Sequence, residues 1–144
     1  MIILEPFRIE HFDRMCIKPG TWAGRKDRAM IEAYGASGPS LSLMDGDLVI
    51  CCGGICCAAW KGFGEVWLVP SIYVDAYPKS VYVQTRKFIQ DAIENMELYR
   101  VQATIKEHDQ TSIRWIEKLG FVREGLMMKF GPNQENQFMY ARVK

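Results

Sequence analysis

The sequence predicts one mixed α/β domain, with a mostly antiparallel central sheet and about four flanking helices. Residues 41–69 form short extended runs separated by turn residues, which is typical of a three-stranded antiparallel meander. Residues 79–129 instead alternate helix, strand, helix and strand, and a strand that follows a helix in this way predicts a parallel crossover. A chain of 144 residues fits a single domain over residues 1–144.

Composition narrows the functional classes. Hydrophobic residues make up 49% of the chain and charged residues 24%, which is the balance of a globular protein. The net charge of +1 gives no basic surplus for a broad nucleic-acid surface. No apolar run approaches the roughly 20 residues of a membrane-spanning helix, and the first residues lack the basic flank of a signal peptide. We therefore expect a cytoplasmic protein without nucleic-acid or membrane partners.

Four of the five cysteines fall within seven residues, at Cys51, Cys52, Cys56 and Cys57. Adjacent residues on a strand point to opposite faces, so this run does not predict a disulfide framework. A structural zinc site draws its ligand pairs from two separate knuckles, and the sequence offers no second cluster. The run therefore predicts a buried, cysteine-rich strand in a reducing compartment, with no metal.

The N-terminal half predicts a strand at residues 2–5 and a helix at 9–15 that turns Phe12 and Met15 inward. A second helix is expected over residues 23–34, closed by Gly35. The meander strands follow at residues 41–44, 48–60 and 65–69, with a hairpin turn at Asp45-Gly46. Within the second of these strands, Gly53-Gly54 predicts a bulge or a close approach of another backbone.

The C-terminal half carries the clearest helices. Residues 79–96 place an apolar stripe on one face, and residues 100–105 then alternate as a strand. The last helix begins at an N-cap, Asp109, and ends at Gly120, with a buried face formed by Ile113, Ile116 and Leu119. Two final strands are expected at residues 121–129 and 137–143.

Residues 109–121 read DQTSIRWIEKLGF and are followed by Arg123-Glu124-Gly125. This stretch resembles the GNAT N-acetyltransferase signature Asn-x-x-Ala/Ser-Ile-x-x-x-x-Lys-Leu-Gly-Phe with a later Glu-Gly. With its Ser and Glu-Lys-Leu-Gly-Phe it is similar to the branch that acetylates ribosomal-protein amino termini, which the tail at residues 136–142 also fits. The resemblance implies the GNAT fold and acetyl-CoA as co-substrate. It also implies N-acyl transfer to a primary amine of a small molecule or protein, and it allows a homodimer.

The loop at residues 70–80 departs from the GNAT pattern because it contains no glycine. GNAT enzymes carry a glycine-rich loop here, whose N–H groups bind the pyrophosphate of acetyl-CoA. The negative charge of Asp75 would repel the phosphates. Ile116 stands where the family usually has a tyrosine that acts as the general acid. The glycine-free loop also resembles GNAT-like internal virion proteins of short-tailed phages, as do residues 41–43 and 66–71. That resemblance implies an alternative, a non-catalytic protein of a phage virion or of host interaction, with virion proteins as partners.

The GNAT resemblance assigns roles to seven residues. Glu65 is the expected general base, and its alternative is a solvated residue at the start of a strand. The other six are expected to line the groove for acetyl-CoA, where Leu68 and Val69 act through their backbones: Leu68, Val69, Lys79, Ser80, Asp109 and Ser112. The alternatives are a plain core strand for Leu68 and Val69, a helix cap for Asp109 and small-residue packing for Ser112. Both histidines, His11 and His108, are expected at the surface.

Overall fold

A computed structural model describes all 144 residues and shows one seven-stranded sheet with four α-helices. The elements follow the order β1 (Ile2–Pro6), α1 (Ile9–Arg14), α2 (Arg28–Ala36), β2 (Ser40–Asp45), β3 (Leu48–Cys56), β4 (Phe63–Pro70), α3 (Pro78–Asn95), β5 (Arg100–Lys106), α4 (Gln110–Lys118), β6 (Val122–Met127) and β7 (Gln137–Val143). In space the strands are ordered β1-β2-β3-β4-β5-β7-β6. All neighbours are antiparallel except β4 and β5, so the predicted mixed, mostly antiparallel fold is confirmed.

The helices cover both faces of the sheet. On one face, α1 and α2 pack over β3 and β4 in an apolar cluster that includes Phe12, Ile31 and Trp67. On the other face, α3 and α4 pack over β5 in a cluster that includes Ile89 and Ile113. The prediction that Phe12 and Met15 turn inward is confirmed, since both are almost fully buried. No helix of the structure combines the length and the apolar character that crossing a membrane requires.

The second helix differs from its prediction at both ends. It begins at Arg28, after a single 3₁₀ turn at Arg25–Asp27, and it continues through Gly35 to Ala36. Gly35 does not close the helix, because its role is to let the helix approach Phe7. A Cβ at Gly35 would lie 2.6 Å from carbons of the Phe7 ring. The glycine is therefore explained by close packing and not by a C-cap.

The β2–β3 hairpin confirms the predicted turn, with Asp45 opposite Leu48 and Gly46 at φ 59°. The bulge in this pair lies between Leu43 and Met44, not at the glycine pair. Gly54 instead confirms the alternative of a close backbone approach, since a Cβ there would lie 2.5 Å from the carbonyl oxygen of Pro39. Strand β3 ends at Cys56, four residues earlier than predicted, because the Cys57 N–H turns away to bond the Ser37 carbonyl at 2.9 Å.

His11 is fully buried, so the prediction of a surface residue is wrong. Its Nδ1 lies 2.7 Å from Ser42 Oγ, and Ser42 Oγ in turn donates to Cys52 Sγ at 3.4 Å. On the other side of the ring, His11 Nε2 lies 3.3 Å from a carboxylate oxygen of Glu5. Burial is the main cause that lowers the pKa of His11, the nearby Arg8 adds to it, and Glu5 opposes it.

The close approach at Gly54 predicts a stability effect. We expect Gly54→Ala to lower the free energy of unfolding by about 1–3 kcal/mol, because the new methyl group meets the backbone of Pro39 and Ser40. Gly125→Ala is the matched control, since nothing lies within 4 Å of a Cβ at that position. Urea denaturation of both variants measures the difference. Equal midpoints for the two variants would contradict the close approach.

The environment of His11 predicts a pH-dependent stability. Its pKa is below 6.5 in the folded chain and near 6.5 in the unfolded chain, so the unfolded state binds more protons in acid. The contribution of His11 to the free energy of unfolding is therefore present above pH 6.5 and is lost as the pH falls toward the pKa of His11 in the folded chain. We expect the free energy of unfolding to be lower at about pH 5.5 than at about pH 7.5, and His11→Asn to reduce this difference. An unchanged difference in that variant would contradict the assignment.

Candidate functional site

The candidate site lies where β4 and β5 separate. The two strands pair in parallel only from Phe63 to Glu65 on β4 and from Arg100 to Gln102 on β5. Beyond Glu65, β4 continues to Pro70 without a β5 partner, and β5 continues to Lys106 paired with β7 alone. The sheet therefore opens into a wedge with Glu65 at its closed end.

Glu65 is half-buried at the end of this pairing. Its carboxylate accepts one hydrogen bond, from Gln102 Nε2 at 3.1 Å. The oxygen of the Gln102 amide accepts from Arg100 Nε at 2.9 Å, and Arg100 bonds both carboxylate oxygens of Glu124, at 3.0 and 2.7 Å. The guanidinium charge is thus matched by Glu124, whose pKa it lowers through these bonds. Glu65 hydrogen-bonds only a neutral amide, which leaves lone pairs of its carboxylate free for further hydrogen bonds.

Aromatic side chains stand on the same sheet face as Glu65. The ring of Tyr34 lies 6.1 Å from the rings of both Trp22 and Trp67. Burial raises the pKa of Tyr34, and the charge of Glu65 raises it further, so its phenol stays protonated at neutral pH. The sequence reasoning missed Trp22, Tyr34 and Gln102, because their meeting with Glu65 depends on how α2, β4 and β5 pack.

The backbone of β4 faces the wedge at Leu68 and Pro70. Ser71 N–H bonds the Ile50 carbonyl of β3 at 3.0 Å, and backbone direction alternates along a strand, so the even-numbered residues point away from β3. Leu68 C=O accepts from the indole Nε1 of Trp22 at 2.6 Å, and Pro70 C=O accepts from Lys18 N–H at 3.0 Å. Residues of the α1–α2 connection therefore supply the hydrogen bonds to this part of the β4 edge. Val69 packs its side chain in the core beside α1 and α2.

The loop after β4 folds its N–H groups inward. A 3₁₀ turn at Val74–Ala76 uses the N–H groups of Val74, Ala76 and Tyr77, at 3.2, 3.0 and 3.1 Å from loop carbonyls. Ile72 N–H bonds the Cys16 carbonyl at 2.9 Å, and Tyr73 N–H bonds Ser71 Oγ at 3.1 Å. These N–H groups are already bonded within the protein, so the loop does not present them to a diphosphate as a glycine-rich loop would.

The remaining predicted residues lie at the starts of α3 and α4. Lys79 is exposed and Ser80 half-buried in the first turn of α3, which begins at Pro78. Asp109 caps α4 by accepting the Ser112 N–H at 3.1 Å, as expected for its structural role. Between the end of β5, the start of α4 and the β6–β7 loop lies a polar cavity of about 520 Å³, lined by Gly20, Lys106, Glu107, His108, Asp109, Gln134, Glu135 and Asn136.

The degree of burial characterises four other residues. His108 is exposed, as expected. Ile116 is buried under α4 and offers no proton to the site. Cys51 and Cys52 point to opposite faces of β3, and burial raises the pKa of each thiol to about 12. These two thiols therefore stay protonated and unreactive at neutral pH.

Comparison with solved structures agrees with this geometry. The chain is similar to Ard1 from Thermoplasma volcanium, with 12% identity, a TM-score of 0.83, and 99% of this chain and 97% of that chain covered. It is similar to a GNAT-family acetyltransferase from Bacillus anthracis, with 16% identity, a TM-score of 0.71, and 99% and 94% covered. A spermidine N-acetyltransferase SpeG chimera from Vibrio cholerae and hSSAT gives 8% identity, a TM-score of 0.78, and 99% and 95% covered.

These likenesses establish the architecture: the chain has the GNAT fold. No protein-family model and no curated protein matches the sequence. The separation of β4 from β5 thus belongs to a fold on which N-acetyltransferases are built, while a fold by itself does not specify an activity.

Proposed function

We propose that this chain is an acetyl-CoA-dependent N-acyltransferase acting on a primary amine of a small molecule or protein. The observation that supports it best is the wedge between β4 and β5, with the half-buried carboxylate of Glu65 at its closed end. A wedge of this kind can take a thioester arm alongside a strand edge. The carboxylate then stands beside the carbonyl that an amine attacks.

In this proposal Glu65 accepts the proton that the amine must lose before it attacks the thioester carbonyl. The new bond joins the amine nitrogen to the carbonyl carbon, and the carbon–sulfur bond breaks. The thiolate that leaves needs a proton, for which the phenol of Tyr34 is the candidate donor because its raised pKa keeps it protonated. Leu68 would supply backbone groups along the arm, whereas Val69, whose backbone turns toward β3, would support the strand from the core.

The same proposal assigns the nucleotide part of the co-substrate a small share of the binding. Lys79 and Ser80 begin α3, and Asp109 and Ser112 begin α4, so the four residues would line the outer groove. The loop between β4 and α3 has its N–H groups bonded internally, and Asp75 adds a negative charge there. Most of the affinity would then come from the pantetheine arm.

The internally bonded loop also favours a second candidate function. A GNAT-shaped protein that binds partners without catalysis needs no phosphate cradle, and the phage resemblance gives it a place in a virion or at a host protein. Calorimetric titration with acetyl-CoA separates the two candidates. Saturable binding with a Kd near micromolar, which is a binding free energy of about −8 kcal/mol, supports the enzyme. The absence of binding heat at millimolar acetyl-CoA supports the partner-binding protein.

Weak binding of the phosphates predicts similar affinities for acetyl-CoA and for a ligand without the nucleotide. We expect S-acetyl-pantetheine, which lacks the nucleotide, to bind within about threefold of acetyl-CoA, because the loop donors are bonded internally. The affinity for acetyl-CoA should also change little between low and high salt. Titrations of both ligands at two salt concentrations measure this. An acetyl-CoA affinity about a hundredfold higher, or a steep salt dependence, would contradict it.

The assignment of Glu65 predicts a kinetic effect. We expect Glu65→Gln to lower kcat for acetyl transfer by about 10²–10⁴-fold with little change in acetyl-CoA affinity, because the amide cannot accept the proton. Glu94→Gln is the matched control, since this exposed carboxylate accepts from Gln90 on α3, away from the hydrogen bonds around Glu65. Steady-state kinetics with a panel of amines gives the comparison. Equal activity of both variants would refute the base assignment.

A further inference from the structure

We infer that residues 16–22, named here the latch segment, block the β4 edge of the wedge and must leave it before a thioester arm can bind. This inference rests on the proposed acyl transfer and adds a regulatory element to it. The latch segment connects α1 to the 3₁₀ turn before α2 and lies against β4 and the loop that follows it. It occupies the backbone edge that β5 leaves free.

The latch segment joins β4 as a short antiparallel addition. Ile17 forms an antiparallel bridge with Ser71. On either side of that bridge, Lys18 N–H donates to Pro70 C=O at 3.0 Å, and Ile72 N–H donates to Cys16 C=O at 2.9 Å. These are ladder hydrogen bonds, so the segment satisfies backbone groups that would otherwise need water or a ligand.

Three side-chain contacts complete the closure across the wedge. The indole of Trp22 donates to Leu68 C=O at 2.6 Å, next along the same edge. The Lys18 ammonium bonds the Asp75 carboxylate at 2.9 Å, which ties the segment to the glycine-free loop. From the opposite side, Lys106 Nζ at the end of β5 reaches Gly20 C=O at 3.5 Å. The segment therefore touches both strands that border the wedge.

The exposure of the latch segment indicates that it can open without unfolding the core. Cys16, Pro19 and Gly20 are exposed, and the Lys18–Asp75 pair is open to solvent. Gly20 has a φ of 81°, and nothing lies within 4 Å of a Cβ added there, so this turn has open space beside it. Segments with few buried apolar contacts open locally at much less than the global free energy of unfolding. Opening would expose the carbonyls of Leu68 and Pro70 together.

A closed latch lowers the apparent affinity for a ligand. A ligand that binds only the open state has its affinity reduced by the fraction of molecules that are open. Variants that weaken the latch should therefore bind the thioester more tightly than the natural chain, which is the opposite of the usual effect of a mutation near a binding site. Variants that fix the latch should not bind.

A reversible cross-link tests the closed state. Ile17 and Ser71 face each other as a non-hydrogen-bonded antiparallel pair, in which Cβ atoms lie close enough for a disulfide. We would combine Ile17→Cys and Ser71→Cys with Cys16→Ser, which prevents a competing disulfide. The oxidised protein should not bind S-acetyl-pantetheine in calorimetry, and a phosphine reductant should restore binding. Ile17→Cys with Cys16→Ser alone is the control and should bind in both conditions.

A second variant tests the opposite direction without a cross-link. Trp22→Phe keeps an aromatic ring but removes the N–H that bonds Leu68 C=O, and it should tighten binding about fivefold. Trp60→Phe is the matched control, because this exposed tryptophan donates to the Tyr99 hydroxyl outside the wedge. Binding that is equal in the oxidised and reduced proteins overturns the latch and leaves the proposed function intact. No binding in any reduced or open variant overturns the proposed function and the latch with it.

Discussion

The short parallel pairing of β4 with β5 is the constraint on which the rest of the structure depends. Because the strands stay together only as far as Glu65 and Gln102, the remaining backbone of β4 has no sheet neighbour on that side. The backbone carbonyls of Leu68 and Pro70 therefore take their hydrogen bonds from another segment of the chain, from water or from a ligand. In this chain the partners are Trp22 and Lys18. These bonds fix the α1–α2 connection against the strand edge.

The glycine-free loop and the latch segment form one connected arrangement. In the glycine-free loop, residues 74–76 form a 3₁₀ turn, and the N–H groups of Val74, Ala76 and Tyr77 bond carbonyls of the loop itself. The same loop offers Ile72 N–H and the Asp75 carboxylate to the latch segment. The conformation of the loop and the closure of the strand edge therefore share the same contacts. A change in one is expected to change the other.

Sequence reasoning succeeded where the determining interactions are local. The cap at Asp109 and the 3.6-residue periodicity of α3 and α4 depend on neighbours within a few positions, and the structure confirms both helices. It failed for His11, whose polar partner Ser42 lies 31 residues away. It also misread Gly35, which resembles a helix terminator in sequence but is required by the ring of Phe7. The fold could thus be predicted more fully than the site.

The latch also bears on how an acyl thioester would compete for the wedge. A pantetheine arm carries amide groups, and its N–H donors can bond the same carbonyls of Leu68 and Pro70 that Trp22 and Lys18 bond now. The exchange replaces hydrogen bonds with hydrogen bonds, so the backbone edge itself contributes little net free energy. What remains is the burial of the arm against Leu68 and Val66, offset by the ordering of a flexible ligand. The balance between those two terms then decides whether the GNAT fold of this chain binds an acyl donor or stays closed.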